Sequence, residues 1–232
     1  MTNKRINIII PILFIGILIG SCAPTRFVKP IEHKKHVISA NLGGPIIAIP
    51  GVATMPIPFT SLGYGYGLKH KTTLFGNWHT TAAIFGVIQF DFGVSQLLWK
   101  NDNMGVSVSP SLNFFSDVFE KNTQLYPQID ANYYFDYFKK EKKGRINQNY
   151  FYGGFSNWFQ LQSKAVHGLD LKNRMIFSPQ LGHVFERGKW NYTLEVKFLA
   201  PYLSNQNIVV DYVSPFGKRG AMGAYFGLNY KL

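Results

Sequence analysis

The chain of 232 residues is long enough for one domain with a full core and too short to require two. Aromatic and charged residues each make up 16%, and this charged share is well below the ~25% of ordinary soluble domains. Together with 22 glycines, this composition suits strands and turns and excludes a mainly helical protein. The net charge is +12, but the basic residues cluster in short loops and form no stripe for nucleic acid.

The N-terminus carries the features of an export signal. A short basic segment, "MTNKR", precedes the apolar run "INIIIPILFIGILIG". That run is too short for a membrane span of ~20 residues, and Pro11 weakens it further as a helix. We therefore predict a signal peptide over residues 1–21.

The end of this run, Ile19-Gly20-Ser21-Cys22, resembles the lipobox of bacterial lipoproteins. The resemblance implies that Cys22, the single cysteine, is the lipid attachment site and first mature residue, carrying palmitate-type acyl chains. Ala23 stands where an aspartate would retain a relative in the inner membrane. The resemblance thus implies anchoring in the outer membrane, with the N-terminus on the periplasmic side, by the lipoprotein-maturation machinery. An ordinary signal with a chance cysteine is the alternative.

Residues 22–35 are predicted to be the lipidated cysteine and a polar tether. Two prolines and the lack of periodicity argue against a regular element there. His33 and His36 lie in or beside this segment and are interpreted as solvated, because a metal site needs more ligands than the segment offers.

From residue 36 to 232 the hydropathy alternates with a period of two, which predicts strands separated by turns. Residues 45–59, with four prolines, are predicted to be a long apolar loop. Ten strands are expected near 36–45, 60–70, 73–84, 87–99, 104–115, 124–138, 148–162, 173–186, 189–199 and 220–232.

One face of these segments is apolar and free of Asp, Glu, Lys and Arg, as at Tyr64, Phe90 and Phe135. The other face is polar and rich in Gly, Ser, Asn and Gln. A soluble sandwich and a membrane barrel both fit this alternation. Aromatic residues near strand ends, the scarcity of charge on the polar face and the alternation of short and long connections favour the barrel.

The pattern thus predicts an all-β fold, an antiparallel up-and-down transmembrane β-barrel of about ten strands over residues 36–232. It resembles small outer-membrane β-barrel proteins of Gram-negative bacteria. The final segment "GAYFGLNYKL" is similar to the strand signal read by the barrel-assembly machinery, although it ends in leucine where many members have phenylalanine.

His79 and Asp91 are the weak candidates for a catalytic pair. If strands three and four turn near Phe85, residues whose numbers sum to 170 face each other, and both side chains fall on the polar face. A His–Asp pair is half of a hydrolytic triad, but neither Ser95 nor Thr81 is marked out as a nucleophile. A structural polar pair is therefore the favoured interpretation.

The polar face is also expected to form an interior network, because buried charges need partners. Its predicted charged members are Lys69, Asp91, Asp130, Asp136, Glu195 and Lys197. The glycines of "GYGYG", residues 63 to 67, are interpreted as making room for bulky neighbours such as Phe75 and Tyr126.

The sequence thus favours a non-enzymatic outer-membrane barrel lipoprotein with a structural, adhesive or narrow-transport role. A barrel hydrolase acting on lipid or lipopolysaccharide, and a soluble periplasmic β-lipoprotein that binds a lipophilic ligand, stay open as alternatives. We expect no cofactor and no metal. The expected partners are outer-membrane lipid and lipopolysaccharide, and no nucleic acid.

Overall fold

A computed structural model describes residues 27–51, 53–142, 145–164, 170, 173–206 and 210–232. The signal segment and Cys22 lie outside the described residues. The strands are β1 His36–Ile49, β2 Ala53–Pro56, β3 Thr60–Lys69, β4 Thr72–His79, β5 Val87–Lys100, β6 Met104–Asp117, β7 Asn122–Lys142, β8 Arg145–Phe159, β9 Met175–Arg187, β10 Trp190–Ser204, β11 Asp211–Tyr212 and β12 Arg219–Lys231; one short helix, α1, covers Thr80–Ile84.

Ten of these strands form a closed antiparallel barrel, which confirms the predicted fold. Sequence neighbours pair throughout, from β3 to β10, and β10 then pairs with β12. The first strand, β1, closes the ring because it pairs with β12 on one side and with β3 on the other. The remaining strands, β2 and β11, pair only with the far end of β1.

The two ends of the barrel differ in their connections. At one end, named here the short-turn end, tight turns join β3 to β4, β5 to β6, β7 to β8 and β9 to β10. The opposite end is named the long-loop end; it carries β2, α1 and the connections 160–174 and 205–218. This asymmetry agrees with the sequence pattern, and β1 starts and β12 ends at the short-turn end.

Side chains alternate between the outside and the interior as predicted. The apolar face points outward, with Tyr64, Phe90 and Phe135 exposed by 47%, 44% and 43%. The interior receives Ser, Asn, Gln and acidic side chains, among them Gln128, which is almost fully buried. The barrel is therefore polar inside and apolar outside.

Three element boundaries differ from the sequence prediction. The proline-rich segment 45–59 is not wholly a loop, because β1 continues to Ile49 and pairs with β2 beyond the barrel proper. Residues 80–84 are α1 and not the end of a strand. The basic segment 139–147, expected as a longer turn, is largely a hairpin extension of β7 and β8. In the first and third cases main-chain pairing outweighs the turn-forming composition, whereas in the second the pairing of β4 ends at His79.

The largest difference concerns residues 27–35, which are not a polar tether. Phe27, Val28 and Ile31 are buried inside the barrel. Phe27 and Ile31 pack with Val37 and Phe75 on one wall. The segment Phe27–Lys35 is named here the lumen segment.

Two glycines of β3, Gly65 and Gly67, are explained by this segment, whereas a Cβ atom at position 63 would meet side chains of Asn77 and Ser39. A Cβ atom at position 65 would lie 2.6 Å from carbon atoms of both Phe27 and Ile31. A Cβ atom at position 67 would lie 2.0 Å from the carbonyl oxygen of Glu32. The glycines thus make room for close neighbours, but at positions 65 and 67 these neighbours are residues of the lumen segment and not the expected Phe75 and Tyr126.

We predict that Gly67→Ala destabilises the barrel by about 1–3 kcal/mol, because the added methyl group overpacks the contact with Glu32. Replacing a strand glycine would otherwise be stabilising, so the sign of the change is informative. The measurement is the temperature of unfolding, detected by the change in migration of the heated protein on gels. Gly76→Ala is the matched control, because its new Cβ would meet its nearest atom at 3.5 Å. Equal stability of the two variants would contradict the close contact between position 67 and the backbone of Glu32.

Candidate functional site

The lumen segment crosses the barrel interior from wall to wall. Phe27 and Phe75 have ring centroids 6.3 Å apart on the β4 side. The next residue, Val28, packs in a second cluster on the opposite side, formed with Leu97, Tyr134, Tyr150, Tyr152 and Val184. Adjacent residues of the segment thus contact opposite walls, and the segment obstructs the lumen at this level.

Hydrogen bonds fix the segment to the first strands. The Ser95 hydroxyl donates to the carbonyl oxygen of Phe27 at 2.7 Å, and the amide of Ile31 donates to the Thr73 hydroxyl at 2.7 Å. The amide of Lys34 donates to the carbonyl oxygen of Gly67 at 2.8 Å. These bonds satisfy main-chain groups that would otherwise be buried unpaired.

Lys29 provides the one ion pair between the described part of the segment and the barrel. Its ammonium group pairs with the Asp136 carboxylate on β7. The same group lies 4.1 Å and 4.9 Å from the ring centroids of Tyr150 and Tyr134. A cation held by a carboxylate and two aromatic faces is a stable arrangement in a partly dry interior.

His79 and Asp91 do meet, but not as directly opposed residues. The strand register pairs Asn77 with Asp91, so facing numbers sum to 168 and not to 170. The reason is that β4 ends at His79 and α1 takes up part of the connection. His79 reaches Asp91 diagonally, with Nε2 2.7 Å from Oδ2, while the Asn77 amide donates to Oδ1 at 2.9 Å.

The surroundings of this pair favour a structural role. Its side chains are only 2% and 0% exposed. The residue facing His79 across the β3–β4 pair is Ser61, which the sequence reasoning missed and which only the register reveals. Ser61 is itself 1% exposed and accepts a hydrogen bond from Asn41 at 3.1 Å. The side chains of His79, Asp91 and Ser61 are thus all almost fully buried and bonded to their neighbours.

The other predicted charged residues fall into separate contacts. Asp130 accepts from the Gln128 amide at 2.8 Å. Glu195 accepts from the Tyr152 hydroxyl at 2.6 Å and lies 3.5 Å from the Lys197 ammonium group. Asp136 binds the lumen segment, a partner that the sequence pattern did not indicate. The Gln128–Asp130 and Glu195–Lys197 contacts lie within single strands, β7 and β10, whereas the Tyr152–Glu195 bond joins β8 to β10 across the interior.

Lys69 does not belong to the interior network. A register shift between Gly67 and Lys69 breaks the alternation at the end of β3, and the Lys69 side chain is exposed. A bulge of this kind turns a side chain away from the face that strict alternation predicts.

A cavity of about 1030 Å³ lies at the short-turn end and is lined in part by the lumen segment.

Within the described ranges, no cluster of three or more His, Cys, Asp or Glu residues forms a metal site. None of the described helices is both long and apolar enough to span a bilayer.

Comparisons with known proteins give distant structural likenesses only. No protein-family model and no curated protein matches the chain. The chain is similar to a NanC porin structure, with 9% identity and a TM-score of 0.42 over 84% of this chain and 100% of that one. It is similar to Ail, the attachment invasion locus protein of Yersinia pestis, with 8% identity and a TM-score of 0.29 over 86% and 99%. A bacterial polysaccharide outer membrane secretin gives 8% identity and a TM-score of 0.36 over 87% and 99%. Likenesses at this level carry no argument about function.

We predict that Lys29→Glu releases the lumen segment, because it replaces an ion pair with two carboxylates in contact. A charged hydrogen bond contributes ~1.5–3 kcal/mol, so amide exchange over residues 27–35 should accelerate at least tenfold. Hydrogen exchange measured by mass spectrometry on the folded barrel reports this directly.

Lys34→Glu is the matched control, with the same charge change in the same segment. Lys34 is exposed, so exchange in this variant should stay within about twofold of the wild-type rate. Equal acceleration in both variants would show that net charge, and not the contact with Asp136, holds the segment.

Proposed function

We propose that the chain is an outer-membrane β-barrel whose lumen is closed by its own residues 27–35, and that it serves the envelope in a structural or adhesive role. The observation that carries this proposal is the apolar belt that surrounds the closed barrel. Exposed aromatic and aliphatic side chains occur on nine of the ten barrel strands, with β6 as the exception. In the middle of β9, the side chain of Leu181 is 60% exposed. So much contiguous apolar surface is typical of a protein in contact with lipid.

The belt has aromatic groups at both ends, as an interface with lipid headgroups favours. Trp78 and Phe90 stack near the long-loop end with ring centroids 6.4 Å apart. Near the short-turn end, Trp190 and Tyr230 contact each other with ring centroids 4.6 Å apart. Apart from Lys197, which faces the interior, the lysines and arginines of the described strands lie close to strand ends, where the cost of a charge in lipid is small.

A closed lumen argues against open diffusion. A ten-stranded barrel has little interior space beyond its own side chains. The lumen segment occupies part of that space, and the buried polar side chains of β5 to β10 fill much of the rest. A structural or adhesive role follows more directly from this geometry than a general pore.

Lipid attachment at Cys22 is part of the proposal. Cys22 lies five positions before Phe27 in the sequence, which gives a maximum reach of about 17 Å. The carbonyl oxygen of Phe27 accepts a hydrogen bond from Ser95. Ser95 faces Thr73 in the β4–β5 strand pair, and Thr73 lies close to the turn between β3 and β4. An anchor in the leaflet at the short-turn end is within this reach. The short-turn end would then face the periplasm, and the long loops would face outward.

The alternatives from the sequence have less support. A soluble β-lipoprotein would expose the apolar belt to water, at a cost of ~25 cal/mol per Å². A hydrolase has less support because the side chains of His79 and Asp91 are almost fully buried.

We predict that Cys22→Ser abolishes incorporation of radiolabelled palmitate and leaves the barrel in the outer membrane. Insertion depends on the apolar belt, so the variant should stay with membranes after alkaline carbonate or urea and should keep its heat-dependent migration. Cys22→Ala serves as a second variant without a hydroxyl group. Release of either protein into the soluble fraction would contradict the insertion of the barrel in the membrane. Palmitate incorporation without Cys22 would contradict the assignment of Cys22 as the anchor site.

A further inference from the structure

The outer surface of the barrel at the β9–β10 turn combines two cations with several aromatic rings. The turn joins Arg187, the last residue of β9, to Trp190, the first residue of β10. Trp190 faces Arg187 in one strand pair and Tyr230 of β12 in the other, so the three side chains lie side by side. Arg187, Trp190 and the turn residue Lys189 are exposed. These four residues and Phe185 are named here the turn patch.

The Arg187 guanidinium group is held in place through one of its nitrogen atoms. Nη1 donates to Asn149 Oδ1 and to the carbonyl oxygen of Glu186, both at 2.7 Å, and to the carbonyl oxygen of Gln148 at 3.4 Å. The guanidinium carbon lies 5.7 Å from the ring centroid of Phe185. Among the described groups, Nε and Nη2 have no acceptor. The group is therefore oriented on the outer surface and retains donors for a ligand.

The two cations of the turn patch have no carboxylate partner among the described residues. The Lys189 ammonium group lies 5.6 Å from the ring centroid of Tyr230, over a ring and not beside an acid. The adjacent acid, Glu186, is on the inward face of β9, where its carboxylate lies 3.5 Å from the Lys231 ammonium group. The turn patch thus presents two positive charges to whatever surrounds the barrel at this level.

An apolar surface continues from the turn patch toward the middle of the barrel. Its exposed side chains are Leu181 on β9, Tyr192 and Leu194 on β10 and Phe226 on β12. Aromatic rings next to cations at the edge of an apolar belt are typical of the level of lipid headgroups. The surface therefore offers charge to an anionic head and apolar contact to the tail of the same molecule.

We propose that the turn patch binds one phospholipid with an anionic headgroup. Its phosphate group lies against Arg187 and Lys189, and its acyl chains lie along the outward faces of β9 and β10. A small soluble anion would use the two cations and leave the apolar surface uncovered, so a bilayer lipid fits the surface better. This proposal rests on the membrane location proposed above and deepens it by naming a lipid class and its site.

The test measures quenching of Trp190 fluorescence by lipids with brominated acyl chains. In the full-length variant W78F/W99F/W158F, Trp190 is the only tryptophan left. The protein is reconstituted in vesicles that contain brominated phosphatidylglycerol or, at equal mole fraction, brominated phosphatidylcholine. The apparent affinity of the Trp190 site for phosphatidylglycerol should be at least about threefold higher, because basic residues at a membrane surface attract anionic lipid. The preference should disappear at about 1 M salt, where the Debye length is about 3 Å.

The variant R187Q/K189Q, made in the same protein, should lose the preference for phosphatidylglycerol. The matched control is K69Q/K71Q, which removes two exposed cations, also two positions apart, at the β3–β4 turn of the same end. This control should keep the preference, because β12 and β1 separate that turn from β10. Heat-dependent migration on gels shows whether each variant is folded.

Native mass spectrometry provides a second measurement in which the natural tryptophans are kept. Protein released from mixed vesicles should retain phosphatidylglycerol, and R187Q/K189Q should retain less of it than K69Q/K71Q does. Equal affinity for the two lipids, or an equal loss in both variants, would overturn the site and leave the membrane location intact. Absence of quenching by either lipid would contradict the membrane location itself, and the site with it.

Discussion

The structure depends on the closure of β1 onto β12, because closure leaves no barrel strand with an open edge. Nine consecutive residues of β1, from Val37 to Pro45, pair with β12, and the other side of β1 pairs with β3. Once the ring is closed, main-chain donors and acceptors are satisfied within the sheet, and the outward face is free to be wholly apolar. The alternation of side chains then decides which groups face the interior.

The closed ring creates a second constraint, because its interior must be filled. Polar side chains that alternate inward hydrogen-bond across strands, as Gln180 and Asn132 do at 2.8 Å. Near the short-turn end the lumen segment supplies the missing volume. Small residues on β3 and the pairing of Lys29 with Asp136 make its position specific, so that the segment is an integral part of the folded barrel.

Much of this architecture follows from the sequence. Strict alternation, long connections at one end and a charge-free face predict the barrel, its strand number and the outward direction of Tyr64 and Phe90. The proximity of His79 to Asp91 also follows from a hairpin register, although the residue that faces Asp91 is Asn77, two positions before His79. Alternation carries this information because strand side chains have a period of two.

The lumen segment was not foreseeable by the same means. Its contacts are non-local, and "FVKPIEHKK" has neither periodicity nor a turn signature that reveals burial. The glycines facing it were the one available signal, but their neighbours depend on what fills the barrel. The exposure of Lys69 was missed for a related reason, since a bulge changes the face of a side chain without altering composition.

The central claim is that the apolar face of the closed barrel contacts lipid. It is tested most directly by spin labels placed one at a time at positions 88 to 95 of β5 in a protein lacking Cys22, reconstituted in lipid vesicles. The account predicts an oscillation with a period of two, with labels at 88, 90, 92 and 94 relaxed by oxygen dissolved in the bilayer and shielded from a water-soluble nickel chelate. Labels at those four positions that are relaxed by the nickel chelate, as on a water-exposed face, would contradict it.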